Sequence, residues 1–458
     1  MTEPTTTRRE LEPSRGSHAQ ASAADLAGAA RPDRNRAVDA YRAVAMLAVA
    51  IGHWAAAAVS IGVDGSIEAG NALEFAPSMS WITWLFQVMP LFFVVGGFAS
   101  AMSLDAHNSR SGDPAEWIAA RLRRMLAPAI GLATVWLAAL LLAVPAGFGV
   151  MAGLAATAAA IPLWFLANYT IDTALAPFML PRFRKHPIGL PTLLIGVFVA
   201  VEIARYSGVP LVPQINWVLG WLLFQTMGFA WRDGLLPSAR PMLAIAAGAW
   251  GATVALVALG PWPVAMVHFP GLTFSPTHPP SIALVMFGLA YSATALAAAP
   301  TVTRWLAGDG AGRKVWVAVV AGNGVAMSVY LWHMTAAILA GLVAWPLGLL
   351  PTADVGTGAW WLQKLPLMAV STVILAGLVA AFSRIERQSL LGGQHPWRHG
   401  LGSTLAIAAV VSTALKLWAS GSPALVFTAT ALLVAMWHLL ISPNSVAERI
   451  GRFAKEDR

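Results

Sequence analysis

The chain contains no cysteine. Disulfides and thiolate metal sites are thereby excluded. Charge is scarce as well: Asp, Glu, Lys and Arg make up 11% of the 458 residues, against 57% hydrophobic ones. A soluble domain of this length needs a more polar surface, so the composition points to a polytopic membrane protein. A mean hydropathy of +0.66 agrees. No cluster of His and carboxylates sits at metal-ligand spacing, so no metal site is expected. No internal repeat is visible, which weighs against a transporter built from repeated halves. The glycine-rich stretch GDGAGR at 308–313 lacks the strand-then-helix setting of a nucleotide fold. An isoelectric point near 10.3 would suit nucleic-acid binding. The placement of the basic residues explains it better, and no nucleic-acid partner is expected.

Runs of roughly 20 mostly apolar residues can cross a bilayer. They lie at 38–61, 81–104, 126–146, 158–180, 187–207, 213–231, 241–260, 281–300, 322–345, 360–382, 402–420 and 423–441. The expected fold is all-α and polytopic, with about twelve transmembrane helices. Apart from Arg42, Arg205, Lys364 and Lys416, every Lys and Arg falls in a tail or in alternate connections. The intervening connections carry Asp64, Glu68, Glu74 and Asp354 instead. By the positive-inside rule both termini are cytoplasmic and the chain is a multi-pass protein of the plasma membrane. Residues 1–36 mix Arg, Glu, Ser, Pro and Ala without a long apolar run, and read as a disordered cytoplasmic tail. They lack the basic-then-apolar order of a secretory signal. The remaining divisions are a main membrane domain at 37–390, a hairpin of two apolar spans at 391–441 and a basic cytoplasmic tail at 442–458.

The first apolar run holds groups that lipid does not welcome. Residues 38–54 read VDAYRAVAMLAVAIGHW, with Asp39, Arg42 and His53 inside. An ionisable residue within a membrane span is a functional candidate by default. Eleven helical residues turn through three turns plus about 20°, so Arg42 and His53 share a face about 16 Å apart along the axis. Asp39 stands three residues before Arg42 and can pair with it. The plain alternative is that Arg42 snorkels to the interface and His53 bonds a neighbouring helix.

Other stretches carry weaker signals. In MPLFFVVGGFAS, Pro90 can loosen the backbone and Gly96–Gly97 allow close helix approach. In AEWIAARLRRMLAP, Arg121 and Arg124 lie three apart on one face before Pro128, so both can grip one polyanion. Ordinary positive-inside charge explains such clusters too. In GNGVAMSVYLWHM, a continuous helix would place Asn323, Tyr330 and His333 on one broad face. Trp164, Asn168 and Asp172 form a stripe that can line a cavity. Glu202 and Arg205 can pair, and Gln225 can act as packing glue.

Taken in order, these motifs resemble the membrane-bound acyltransferase 3 family. DAYRAVAMLAVAIGH is similar to its first-helix Asp, Arg and His pattern. FFVVGGF is similar to its FFxxSGF stretch, Arg121 to Arg124 to its Arg-x-x-Arg motif, and SVYLWH at 328–333 to its SxYLxH ending. The resemblance covers residues 35–390. Gly96 departs from the usual serine, and Ala326–Met327 from a frequent Ser-Tyr pair, so neither group is required here. The family implies transfer of an acyl group, commonly acetyl, from cytoplasmic acyl-CoA to a hydroxyl of a glycan, lipid or macrolide-like acceptor. Acyl-CoA is then a donor substrate, with no permanently bound cofactor. By position the resemblance implies that His53 is the catalytic base or acyl-accepting residue. Arg42, Arg121 and Arg124 would hold the CoA phosphates, with Asp39 beside Arg42. Tyr330 or His333 would steady the oxyanion. The rival expectation is a multi-pass transporter or flippase of a lipid-linked or polar substrate, using the same arginines without bond formation.

Overall fold

The computed structural model describes residues 34–61, 67–110, 112–272 and 274–388, besides the isolated Gly28. The expected spans at 402–420 and 423–441, most of the N-terminal tail and the C-terminal tail lie outside the described residues. The architecture is mostly helical. Eight helical stretches among the described residues are long and apolar enough to cross a membrane.

Helix α1 runs Arg36–Ala56, capped by Asn35, whose side chain accepts from the Ala37 and Val38 N–H groups. The sequence places a helix as far as 61. Instead the chain turns extended at Ala57 and forms a hairpin, β1 Ala57–Ile61 with β2 Ile67–Asn71, antiparallel with Ala57 opposite Asn71. The all-α expectation is corrected to that extent. The helix end is sealed by Lys364, which donates to the carbonyls of Ala55 (2.8 Å) and Ala57. A side chain thus takes up acceptors that a further helical turn would have used.

Beyond the hairpin come α2 Ala72–Phe75, a 3-10 turn Pro77–Ile82, α3 Thr83–Phe86 and α4 Met89–Asn108. Pro90 lies in the first turn of α4. No intrahelical N–H is needed there, so it starts the helix rather than loosening it. Helix α5 Pro114–Ala143 begins earlier than the apolar run, with Asp113 as its cap. Arg121 and Arg124 are therefore helical and not in a connection. The expected span at 158–180 is two helices, α6 Gly149–Ala160 and α7 Leu163–Lys185. The break falls at Pro162, which has no N–H to continue the ladder.

Helices α8 Gly189–Tyr206, α9 Asn216–Arg232, α10 Ala239–Leu259 and α11 Ile282–Ala307 follow, close to expectation. The expected span 322–345 is again divided, into α12 Ala311–Gly324 and α13 Ala326–Ala344, and α14 covers Gly358–Gln388. The divide follows Gly322 and Gly324, at Val325, whose φ is −127°. Glycine weakens a helix interior, so a break costs least there. Asn323 therefore does not share a helix face with Tyr330 and His333.

Helix α1 is central, packed against α4, α11, α12 and α13. Its neighbours come close where small residues permit. A side chain at Gly97 would strike the Gln225 carbonyl at 2.2 Å, and one at Gly228 the Val94 carbonyl at 2.1 Å. The α4–α9 crossing is thus backbone against backbone, as the Gly96–Gly97 pair suggests. Gly96 itself faces Tyr169, whose ring lies 2.6 Å from where a Cβ would sit. The serine usual at that place in the motif would need Tyr169 to move.

Candidate active site

The two polar groups of α1 lead to two different places. At its first turns Asp39 is buried and collects cations. Its carboxylate pairs with Arg34 (2.5 Å) and with Arg42 (3.4 Å). Asn323 ties α12 into the same knot: its Oδ1 accepts from Arg42 Nε at 2.7 Å, and its Nδ2 donates to the Asp39 carbonyl at 2.9 Å. Arg34 and Arg36 both lie over the Trp316 ring, at 5.2 and 5.0 Å. Arg42 is oriented by these contacts yet keeps about a third of its side chain exposed, at 35%. Arg121 packs over Trp117 at 5.4 Å. It is within electrostatic range of Arg42, Arg124 and the Tyr169 hydroxyl. Arg124 is exposed. Arg42 and Arg121, 79 positions apart in sequence, thus converge at one end of the bundle, and among the described residues Asp39 pairs with Arg42 while no carboxylate pairs with Arg121.

His53 lies at the other end of α1. Its Nδ1 is 2.8 Å from His333 Nε2, and the two rings are nearly parallel, 9° apart. His333 Nδ1 is 2.5 Å from the Tyr330 carbonyl. A carbonyl only accepts, so His333 carries its proton on Nδ1. Its Nε2 is then the acceptor, and His53 donates to it from Nδ1. The tautomer of His53 follows: Nε2 bears the free lone pair. Trp54 Nε1–H donates to the His333 carbonyl at 2.8 Å and holds α13 in register with α1. Tyr330 is buried, and its hydroxyl donates to the Pro162 carbonyl at 2.7 Å, at the α6–α7 break. In this arrangement Tyr330 and His333 have their donors committed to carbonyls.

His53 lines a cavity of about 450 Å³. Trp164, Tyr330, Gln87 and Thr83 line it as well, and its outer part is formed by the 267–278 connection. Gln87 and Thr83 are anchored, by Gln87 Nε2 to the Met266 carbonyl (2.6 Å) and by Thr83 Oγ1 taking the Met266 N–H (2.8 Å). Arg42 and Arg121 are not among the lining residues.

Of the expected stripe on α7, Trp164 reaches the cavity. Asn168 bonds back to the Trp164 carbonyl at 3.1 Å, and the Asp172 carboxylate is buried without a hydrogen-bond partner among the described residues. Gln225 donates to the Asp172 carbonyl at 2.7 Å, a packing contact as expected. Glu202 and Arg205 do pair, at 3.6 Å.

Sequence reasoning missed His268 and His278, which line the outer part of the cavity. The signal was present: HFPGLTFSPTHPP is a connection rich in aromatic, hydroxyl and imidazole groups. It also missed Lys364 as the cap of α1, although that lysine stood outside the basic connections.

A family model described as an acyltransferase domain, that of acyltransferase 3, matches residues 35–383. The match takes in α1 with Asp39, Arg42 and His53, the α5 arginines and the Tyr330–His333 segment. No curated protein and no solved structure matches the chain. Most of the chain being covered, and the apolar helices spanning it, the chain belongs to the acyltransferase 3 family and is a multi-pass membrane acyltransferase.

Proposed function

We propose that the chain is an O-acyltransferase that moves an acyl group, acetyl first among the candidates, from acyl-CoA to a hydroxyl in the His53 cavity. The observation that carries this reading is the His53–His333–Tyr330 chain of contacts. It fixes a histidine with its lone pair on Nε2 at the wall of a cavity. Such a group takes a proton from a hydroxyl as the oxygen attacks a thioester carbon. The C–S bond breaks, and the CoA thiolate recovers the proton from His53 Nε2. The balance leaves an ester and a thiol, with His53 neutral again. A transient acyl group on Nε2 would be served by the same lone pair.

The arginine end supplies the other half of the reading. CoA carries its phosphates at one end and its thioester at the other. Arg42 and Arg121 suit the phosphates, with Arg124 outside them and Asp39 orienting Arg42. Arg42 and His53 lie about 16 Å apart along α1, a separation that an extended pantetheine arm can bridge. The donor then arrives from the arginine end and the acceptor from the hairpin end. By the charge distribution of the connections these are the cytoplasmic and outer faces.

The test is acetyl-CoA turnover by protein purified into nanodiscs, read as CoA release and retained acyl label, with a lysate extract as acceptor source. Wild type is expected to turn over, and His53→Ala to lose at least about 10²-fold, the usual worth of a positioned base. Wild type that neither binds nor consumes any acyl-CoA, longer chains included, would sink the donor model and leave a carrier as the better account.

A further inference from the structure

The cavity at His53 reveals what kind of acceptor it admits. Among the described residues no Asp, Glu, Lys or Arg side chain lines it. Charged side chains beside it are bound to other groups. Lys364 lies behind the cavity-lining Trp361, with its ammonium on the Ala55 and Ala57 carbonyls. Glu74 turns back to the N–H of Asn71 at 2.9 Å. An ion placed in the cavity would lose water and find no counter-ion, which is costly.

The outer part is polar but neutral in kind. His278 Nδ1 pairs with the Thr277 hydroxyl at 2.9 Å, and its Nε2 has no partner among the described residues. His268 lies beside it, ring centroids 4.5 Å apart. Trp217 meets the His278 ring edge-on at 5.0 Å, and Trp164 lies 6.4 Å from it. Imidazoles offer hydrogen bonds to hydroxyls, and Trp164 offers a flat apolar face. A volume of about 450 Å³ is that of a small-molecule site. A polymer could insert only its end.

We propose that this cavity selects an uncharged, hydroxyl-bearing amphiphile as acceptor, read at its mouth by His268 and His278 beside the Trp164 ring. The proposal rests on the acyltransferase reading, but it concerns who enters and not what happens next. The cysteine-free sequence makes a clean test possible. A single thiol is introduced in the cavity wall as Thr157→Cys, with Ala56→Cys as a second position should the first fail to fold. The protein in nanodiscs is treated with neutral methyl methanethiosulfonate, and separately with its anionic sulfonatoethyl and cationic trimethylammonium-ethyl analogues. Protection is measured with octyl β-D-glucoside and with the matching octyl glucuronide, which differ by one carboxylate.

The neutral reagent should react at least about tenfold faster than either ion, corrected for their rates with a free thiol. The glucoside should protect better than the glucuronide, and His278→Ala should weaken that protection severalfold. Equal rates for the three reagents, or equal protection by the two glycosides, would overturn the proposal even if acetyl-CoA turnover stands. Loss of turnover with charge selection intact would instead count against the acyltransferase reading alone.

Discussion

The two ends of α1 are built on opposite plans. The first turns hold a partly exposed knot of charge, in which Arg34, Arg42, Asp39 and Asn323 bind one another. The last turns hold the half-buried His53 against the buried His333, and a cavity with no charged side chain among the described residues of its wall. Charges near water keep part of their solvation, so an arginine cluster can stand ready for a polyanion there. Deep in the bundle a charge would have to be paired, so on the proposed reading reactivity comes from a neutral base whose tautomer is fixed by its neighbours. On the proposed reading, one helix separates a binding task from a chemical task by length alone.

The sharpest way to break that comparison is to remove the neighbour that fixes the tautomer. His333→Phe keeps bulk but leaves His53 Nδ1–H without its acceptor. We expect kcat to fall about 10²–10³-fold, with little change in the KM for the donor, because the lost contact orients a base and does not touch the phosphates. The check is steady-state acetyl-CoA turnover in nanodiscs. A raised donor KM at unchanged kcat would assign His333 to binding instead.

The complementary change lies at the other end. Arg121→Gln removes a cation that faces Arg42 and Arg124 but lies outside the cavity. We expect the donor KM to rise about tenfold or more, the worth of one charge-assisted contact, with kcat nearly kept. The effect should shrink as salt is raised from low to physiological strength, because partly exposed charges are screened. A fall in kcat at constant KM would mean that the two ends are not separate.

Much of this was legible in the sequence, because the strongest signals were local. Asp39, Arg42 and His53 on one apolar helix announced both ends of α1. Ten of the apolar runs correspond to helical stretches in the structure. What stayed hidden were contacts between distant segments. Gly322 and Gly324 beside Asn323 favour a break there, but nothing nearby says that the Asn323 side chain serves Arg42. The seal on α1 comes from Lys364, about three hundred residues away, and the first strand of the hairpin after it lies within an apolar run that also suits a helix. His268 and His278 were overlooked because they sit in a connection, where pattern periodicity has nothing to report. Charge bookkeeping pointed to Lys364 as an exception; only the packing of Trp360 at 4.1 Å and the α1 carbonyls explains how a buried ammonium is tolerated.

The smallest expected effect concerns the mouth of the cavity and the pH at which it stays neutral. Burial first, and the neighbouring His268 second, lower the His278 pKa from its ordinary 6.5 to about 3. His268 is lowered by burial as well. Once the connection is opened, these imidazoles regain their usual affinity for protons, so the opened state binds more protons than the closed one between about pH 6.5 and 3. The closed arrangement is therefore fully favoured above pH 6.5 and loses ground steadily as pH falls towards 3. Thermal unfolding of the protein in nanodiscs, followed from pH 7.5 down to 4.5, should show a midpoint that declines on acidification. His278→Gln keeps a hydrogen-bonding side chain but cannot take the proton, so its midpoint should decline less steeply, whatever its value at neutral pH. A variant with the same slope as wild type would show that acid acts elsewhere. The cavity mouth would then owe its neutrality to something other than a buried imidazole.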